Sequence, residues 1–141
     1  MGTRRKSGRK KTSKARTSYG LLNGSRILIA DNSGAKIAQI INVDHHKTRL
    51  NRLPKATIGD VCTVTIKKGR PELRGNILKC VIVRQKMIFR RIDGTRLCFE
   101  DNAGVLISKE GDPRGTEIRG PIAREAAEQF PRLASISSLI I

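Results

Sequence analysis

From Arg26 to Ile107 the chain is a series of short apolar runs, broken at roughly ten-residue intervals by turn-forming residues. Ile27 and Ile29 alternate with Leu28 and Ala30. The run Lys36 to Val43 places Ile37, Ile41 and Val43 on one face and Ile40 on the other. Cys62, Val64 and Ile66 face away from Thr63 and Thr65, and Ile77 to Val83 is the most apolar run. Met87 to Ile92 and Arg96 to Phe99 flank Asp93-Gly94, a strong hairpin signal, and Val105 to Ile107 completes the series. A period of two identifies strands. Six or seven such strands, with no helical pattern between them, predict a small closed or nearly closed β-barrel rather than a parallel sheet.

The turns fit that reading. Asp31-Asn32-Ser33-Gly34 and Glu100 to Gly104 carry Asx and Gly residues, and Lys67 to Gly75 is a loop holding two Gly and a Pro. After Gly120-Pro121 the period changes: Ile122, Ala126 and Phe130 share one face, which predicts a helix from Pro121 to Phe130. Pro131 stops it and opens a second short helix through Ser137. In 141 residues this gives a basic N-terminal arm over 1–18, a barrel over 19–119 and a C-terminal helical segment over 120–141 packed on the barrel.

Charge is spread unevenly. Residues 1–16 hold eight Lys or Arg and no acid, and residues 47–96 hold fourteen against Asp60, Glu72 and Asp93. Residues 97–141 reverse this, with five basic residues and seven acids, within a total of +17. Cations on strand ends and loops suit a polyphosphate, because neutralising phosphates releases condensed counterions. The expected RNA contacts are Arg49, Arg52, Lys67, Lys68, Arg70, Arg74, Arg84, Lys86, Arg90 and Arg91, together with Arg4, Arg5, Lys10 and Lys11 of the arm, which is too polar to fold alone and is expected to order on RNA. The acidic last third repels phosphate and is expected to face protein or solvent.

Nothing points to catalysis. No phosphate-binding Gly-rich loop is present, Glu100-Asp101 reads as a strand end and Asx turn rather than an acid–base pair, and adjacent His45-His46 lack metal-ligand spacing. No enzyme activity, cofactor or metal is therefore expected. Cys62, Cys80 and Cys98 lie in apolar runs with no C-x-x-C pair, so three buried free thiols and a reducing compartment are expected. No apolar run approaches the ~20 residues of a membrane span, and the N-terminus lacks the apolar core of a secretory signal. Tyr19, Phe89, Phe99 and Phe130 are the only aromatic residues, too few for base-stacking platforms. Binding through phosphates and the shape of a folded RNA is the mode this composition favours.

Five segments occur in order that resemble a known family: ADNSGAK (Ala30–Lys36), GRPELRG (Gly69–Gly75), VRQKMIFRRIDGT (Val83–Thr95), FEDNAGV (Phe99–Val105) and GPIAREAAEQFPRLAS (Gly120–Ser135). They are similar to large-subunit ribosomal protein fourteen of the universal family, called twenty-three in eukaryotic naming. RLNRLP (Arg49–Pro54) and the long basic arm resemble the eukaryotic and archaeal branch. The resemblance implies a five-stranded barrel with projecting loops and short C-terminal helices. It implies a structural role in the large ribosomal subunit, binding large-subunit rRNA at the subunit interface and small-subunit rRNA in an intersubunit bridge. Ribosomal proteins three and twenty-four would be neighbours, and anti-association factor six would land on the C-terminal part, where Arg124, Glu125, Glu128 and Arg132 form the expected partner surface. The implied location is the cytoplasmic ribosome, with nuclear assembly in a eukaryote. Gly75-Asn76 and Gln129-Phe130 depart from the family pattern, and no family rule covers the apolar ending Ile136–Ile141. An OB-like RNA-binding or RNA-chaperone module outside the ribosome is the alternative.

Overall fold

The computed structural model describes residues 17–141, so the arm contacts expected at Arg4, Arg5, Lys10 and Lys11 lie outside the described residues. Thr17 and Ser18, the last two residues assigned to the arm, are tied to the body. Thr17 Oγ1 and Thr57 Oγ1 are 2.7 Å apart, and Ser18 O accepts hydrogen bonds from Thr57 Oγ1 (3.0 Å) and Gln85 Nε2 (2.9 Å).

The elements in chain order are β1 (Leu21–Leu22), β2 (Arg26–Ile29), β3 (Ala35–Val43), β4 (Lys55–Ala56), β5 (Val61–Gly69), β6 (Ile77–Arg84), β7 (Phe89–Arg90), β8 (Arg96–Leu97), β9 (Ala103–Ile107), β10 (Ile118–Ile122), α1 (Arg124–Gln129), α2 (Pro131–Ile136) and β11 (Ser137–Ile140). Strands β2-β3-β5-β6-β9 form a closed barrel, antiparallel except where β9 meets β2 in parallel. The mainly β chain with a five-stranded barrel and two short C-terminal helices is thus as expected. Closure removes the unpaired edges that an open five-stranded sheet would present.

Every barrel strand sends side chains into one interior cluster: Ile27 and Ile29, Ala38 and Ile40, Cys62, Val64 and Ile66, Cys80 and Ile82, and Leu106. Gly104 sits where a Cβ would run into Cys80 Sγ, so only glycine lets β9 approach. A second cluster lies outside the barrel, where Val81, Val83, Val105 and Ile107 meet Ile118, Ile122, Ala126, Ala127 and Leu133. Strands β6 and β9 are therefore covered on both faces, which is why they read as continuous apolar runs and not as alternation.

The structure corrects the face assignment in β3. Ala35, Ala38, Ile40 and Val43 are buried, while Ile41 is exposed and Ile37 half-buried. Register shifts at Ala35/Ile37, Ile37/Ala38 and Ile40/Asn42 insert extra residues, and each bulge moves the following side chains to the other face. A strict period of two cannot register this.

The C-terminal segment also differs. Gly120 has φ +79° and Pro121 pairs with Leu139, so Pro121 lies in β10 and the helix begins only at Arg124. The apolar ending that had no assignment forms β11, parallel to β10. The boundary drawn at 119/120 falls inside β10.

Cys98 is exposed, contrary to the expectation of three buried thiols. Leu97 and Phe99 pack against the second cluster, so the residue between them points outward. Cys62 and Cys80 face one another across β5 and β6, fully buried, and burial above all pushes the Cys80 thiol up. A thiol reagent should label one equivalent rapidly in the native state, and Cys98→Ser should abolish that phase. Cys62 and Cys80 should react only on unfolding, as followed by mass spectrometry.

Candidate nucleic-acid interface

Strand direction decides where the cations go. The β2–β3 turn and the β5–β6 loop lie at one end of the barrel, since Arg70 N–H donates to Gly34 O (3.1 Å). The β3–β4 loop and the chain after β6 lie at the other. The nine residues of β5 separate the two ends by ~25 Å at ~3.3 Å per residue. The expected contacts thus divide into two groups. Lys67, Lys68, Arg70 and Arg74 are exposed at the first end, and Arg49, Arg52, Lys86 and Arg90 are exposed at the second.

At the first end the turn chemistry read from Asp31 to Gly34 is present. Asp31 Oδ1 accepts Ser33 N–H (3.2 Å) and Ser33 Oγ–H (2.5 Å), and Gly34 has φ +99°. The Arg70 side chain lies over Gly34 where a Cβ would stand, so glycine is needed there for space as well as for conformation. The following turn is closed by Leu73 and Arg74 N–H groups donating to Arg70 O (3.0 and 3.2 Å), which presents Arg70 and Arg74 close together.

At the second end the Asp93-Gly94 hairpin pairs β7 with β8, and Arg90 stands directly opposite Arg96. Asp93 Oδ1 accepts Thr95 N–H (2.9 Å), a bond that lowers the Asp93 carboxyl pKa. Like charges directly opposite each other destabilise a strand pair, and an anion between them relieves the repulsion. Arg96 was not among the expected contacts. A two-residue Asp93-Gly94 turn would set Arg91 against Arg96; in the structure Arg91 N–H donates to Thr95 O (2.8 Å), so the loop holds Ile92, Asp93 and Gly94 and Arg90 takes that place.

Two expected contacts are engaged elsewhere. Arg84 is buried: Nε and Nη2 donate to Asp101 Oδ1 and Oδ2 (2.9 and 3.1 Å), and Nη1 donates to Arg119 O and Pro121 O (2.9 and 3.0 Å). Its guanidinium holds β10 against β6, so Arg84 is removed from the phosphate-facing set. Arg91 is half-buried. It donates to Glu125 Oε1 (2.9 Å), Glu125 Oε2 (3.4 Å) and Ile141 O (2.6 Å), with its Cζ 6.0 Å from the centroid of the Phe89 ring. Glu125, expected to face outward, is therefore also bound within the chain, whereas Arg124 and Glu128 are exposed. Arg132 is exposed and pairs with Asp112. Lys79 joins Asp44 at 2.7 Å, and both carboxylate oxygens accept from its ammonium.

Among the described residues no cluster of His, Cys, Asp and Glu is suited to a metal ion, and no helix is long and apolar enough to cross a membrane. The arrangement is that of a small basic β-barrel protein, with cationic loops at both ends and a near-neutral flank built from β10, α1, α2 and β11. The family model described as ribosomal protein L14p/L23e matches residues 20–141. The chain belongs to that family, and is accordingly a structural ribosomal component and not an enzyme. It is 53% identical over 118 residues to the large ribosomal subunit protein uL14 of Nitrosopumilus maritimus, covering 84% of each chain. The protein of the same description from Thermofilum pendens is 47% identical over 122 residues, covering 86% of each. That from Methanocorpusculum labreanum is 48% identical over 121 residues, covering 86% of this chain and 92% of the relative.

Replacing Arg84 with Met should lower unfolding stability by about 2–3 kcal/mol, because Asp101 and two carbonyls lose a charged donor. The salt dependence of RNA binding should stay the same. Denaturant unfolding and filter binding measure the two quantities.

Proposed function

We propose that the chain is held in the large ribosomal subunit by grasping large-subunit rRNA at two places, one at each end of its barrel. The observation that carries this reading is the division of eight exposed cations into two groups at opposite barrel ends, on strand ends (Lys67, Lys68 and Arg90) and on loops, with backbones fixed by strand pairing and turn hydrogen bonds. Fixed loops present guanidinium and ammonium groups in constant geometry, which suits the phosphates of a folded RNA better than base readout. Arg4, Arg5, Lys10 and Lys11 extend the same reading to the arm. Membership of a ribosomal family argues against the RNA-chaperone alternative.

The finer assignments follow the family resemblance. The chain lies at the subunit interface, meets small-subunit rRNA in an intersubunit bridge, and neighbours ribosomal proteins three and twenty-four. It works in the cytoplasmic ribosome, with nuclear assembly if the source is a eukaryote. The flank carrying Arg124, Glu128 and Arg132 is the landing surface for anti-association factor six. Its acids at Glu110, Asp112, Glu117 and Glu128 disfavour phosphate. A groove of about 540 Å³ between the barrel and α2, lined by Lys79, Lys109, Glu110, Asp112, Phe130 and Arg132, offers both charges and an aromatic edge to a protein.

If ~6–10 phosphates are neutralised, affinity for protein-free large-subunit rRNA should fall roughly 10³–10⁵-fold between 50 and 200 mM salt. A nearly flat titration would refute rRNA grasping through the loops. For the flank, Arg124→Glu combined with Glu128→Arg should leave folding and rRNA affinity intact and weaken factor binding to purified large subunits. Unchanged factor affinity would reduce α1 to a cap on the second apolar cluster.

A further inference from the structure

Leu50 is 90% exposed, at the tip of the loop between β3 and β4. A single exposed leucine is ordinary on a protein surface. This one is held out by a closed turn in which Arg52 N–H donates to Arg49 O at 2.7 Å, with Asn51 in the left-handed region at φ +63°. The turn brings its two ends together, so Arg49 and Arg52 flank the leucine. Between Asp44 and Asp60 the chain carries Lys47, Arg49, Arg52 and Lys55 and no acid, and the Asp44 carboxylate is already paired with Lys79. Leu53, 53% exposed, stands one residue beyond the turn.

We propose that Leu50 is an apolar wedge that seats against nucleobases of folded rRNA, guided there by the phosphate contacts of Arg49 and Arg52. The inference rests on the rRNA-binding reading above and adds to it a contact that carries no charge. A protein so poor in aromatic residues has few rings to offer a base, and aliphatic side chains inserted at a base step serve the same end. The two arginines fix the strand on either side, and the tip between them meets the faces or groove edges of the bases. Ile92 is equally exposed, at 92%, but its surroundings are of mixed sign: Asp93 follows it and the Arg91–Glu125 pair lies behind it. The electrostatic selection of a polyanion is stronger at Leu50, whose loop holds no acid between Asp44 and Asp60, than at Ile92.

The test titrates the full chain with protein-free large-subunit rRNA from 50 to 200 mM salt. Leu50→Ser lies on an exposed tip and leaves the fold intact. It should weaken binding about tenfold at every salt concentration, with an unchanged slope of log affinity on log salt, because burial of one leucine is lost and no phosphate contact is. Leu50→Met should bind within about twofold of the parent, whereas Arg49→Gln should flatten the slope by about one unit. Parent and Leu50→Ser affinities that agree within about twofold, on a steep salt slope, would overturn the wedge and leave the rRNA reading standing. So would an unchanged rRNA affinity accompanied by loss of a neighbouring protein from reconstituted subunits, which would give the tip to a protein partner. A flat slope for the parent would overturn both.

Discussion

The barrel depends on the seam where β9 meets β2. It is short: the register pairs only Leu28 with Ala103 and Ile29 with Gly104, and the N–H groups of Leu28 and Ala30 donate to Asn102 O and Gly104 O, both at 2.9 Å. Asp31 extends it. Its carboxylate is buried, with Oδ1 turned to Ser33 and Oδ2 accepting the buried Leu106 N–H at 3.1 Å. A buried amide left without that acceptor would carry its full desolvation cost. At the other end of the seam Asp101 holds Arg84, and through it β10. The recurrence of Asp-Asn-x-Gly at Asp31 and Asp101 thus marks the two ends of one seam. Asn32 and Asn102 finish the job, binding Thr116 N–H (2.9 Å) and Lys86 N–H (2.8 Å).

The charge distribution follows from the same frame. Cations whose neighbours include a carboxylate on an adjacent element are drawn into it: Lys79 to Asp44, Arg84 to Asp101, Arg91 to Glu125. Arg49, Arg52, Lys67, Lys68, Arg70, Arg74, Lys86 and Arg90 stay exposed. The positive stretch from residue 47 to 96 is therefore two exposed groups at the barrel ends, joined by a middle in which several charges serve the fold. Arg84 shows the structural use most clearly. A guanidinium is a rigid fork of donors, and here its four hydrogen bonds tie β10 to the paired strands β6 and β9, with neither of which β10 shares a strand pairing.

Much of this was legible in the chain. Alternation gave β2 and β5 with their correct faces, the Asp93-Gly94 pair gave the hairpin, and spacing gave the barrel. What escaped has specific physical causes. The bulges in β3 are properties of its pairing with β5, not of its own composition. The exposure of Cys98 follows from Leu97 and Phe99 both finding a cluster made by β10 and the helices, distant in sequence. Pro121 fits a helix start and a strand edge equally well, and the choice is made by Leu139 on the partner strand. Arg84 and Arg91 look like their exposed neighbours until Asp101 and Glu125 are brought beside them. Local pattern carries secondary structure, whereas the fate of a charge is decided by the far side of the molecule.

The position of β9 in the chain has a further consequence. During synthesis β2, β3, β5 and β6 emerge first and can pair in succession as an open meander, with β2 and β6 as its bare edges. Neither edge finds its partner until Ala103 to Ile107 has appeared, and then one strand must satisfy both at once. Pairings so far apart in sequence form slowly, and open edges associate with whatever is near. Throughout that interval the cationic stretch is already out. A nascent chain of this design meets polyanions before it has a finished shape, and the order in which its strands are made determines whether closure or capture comes first.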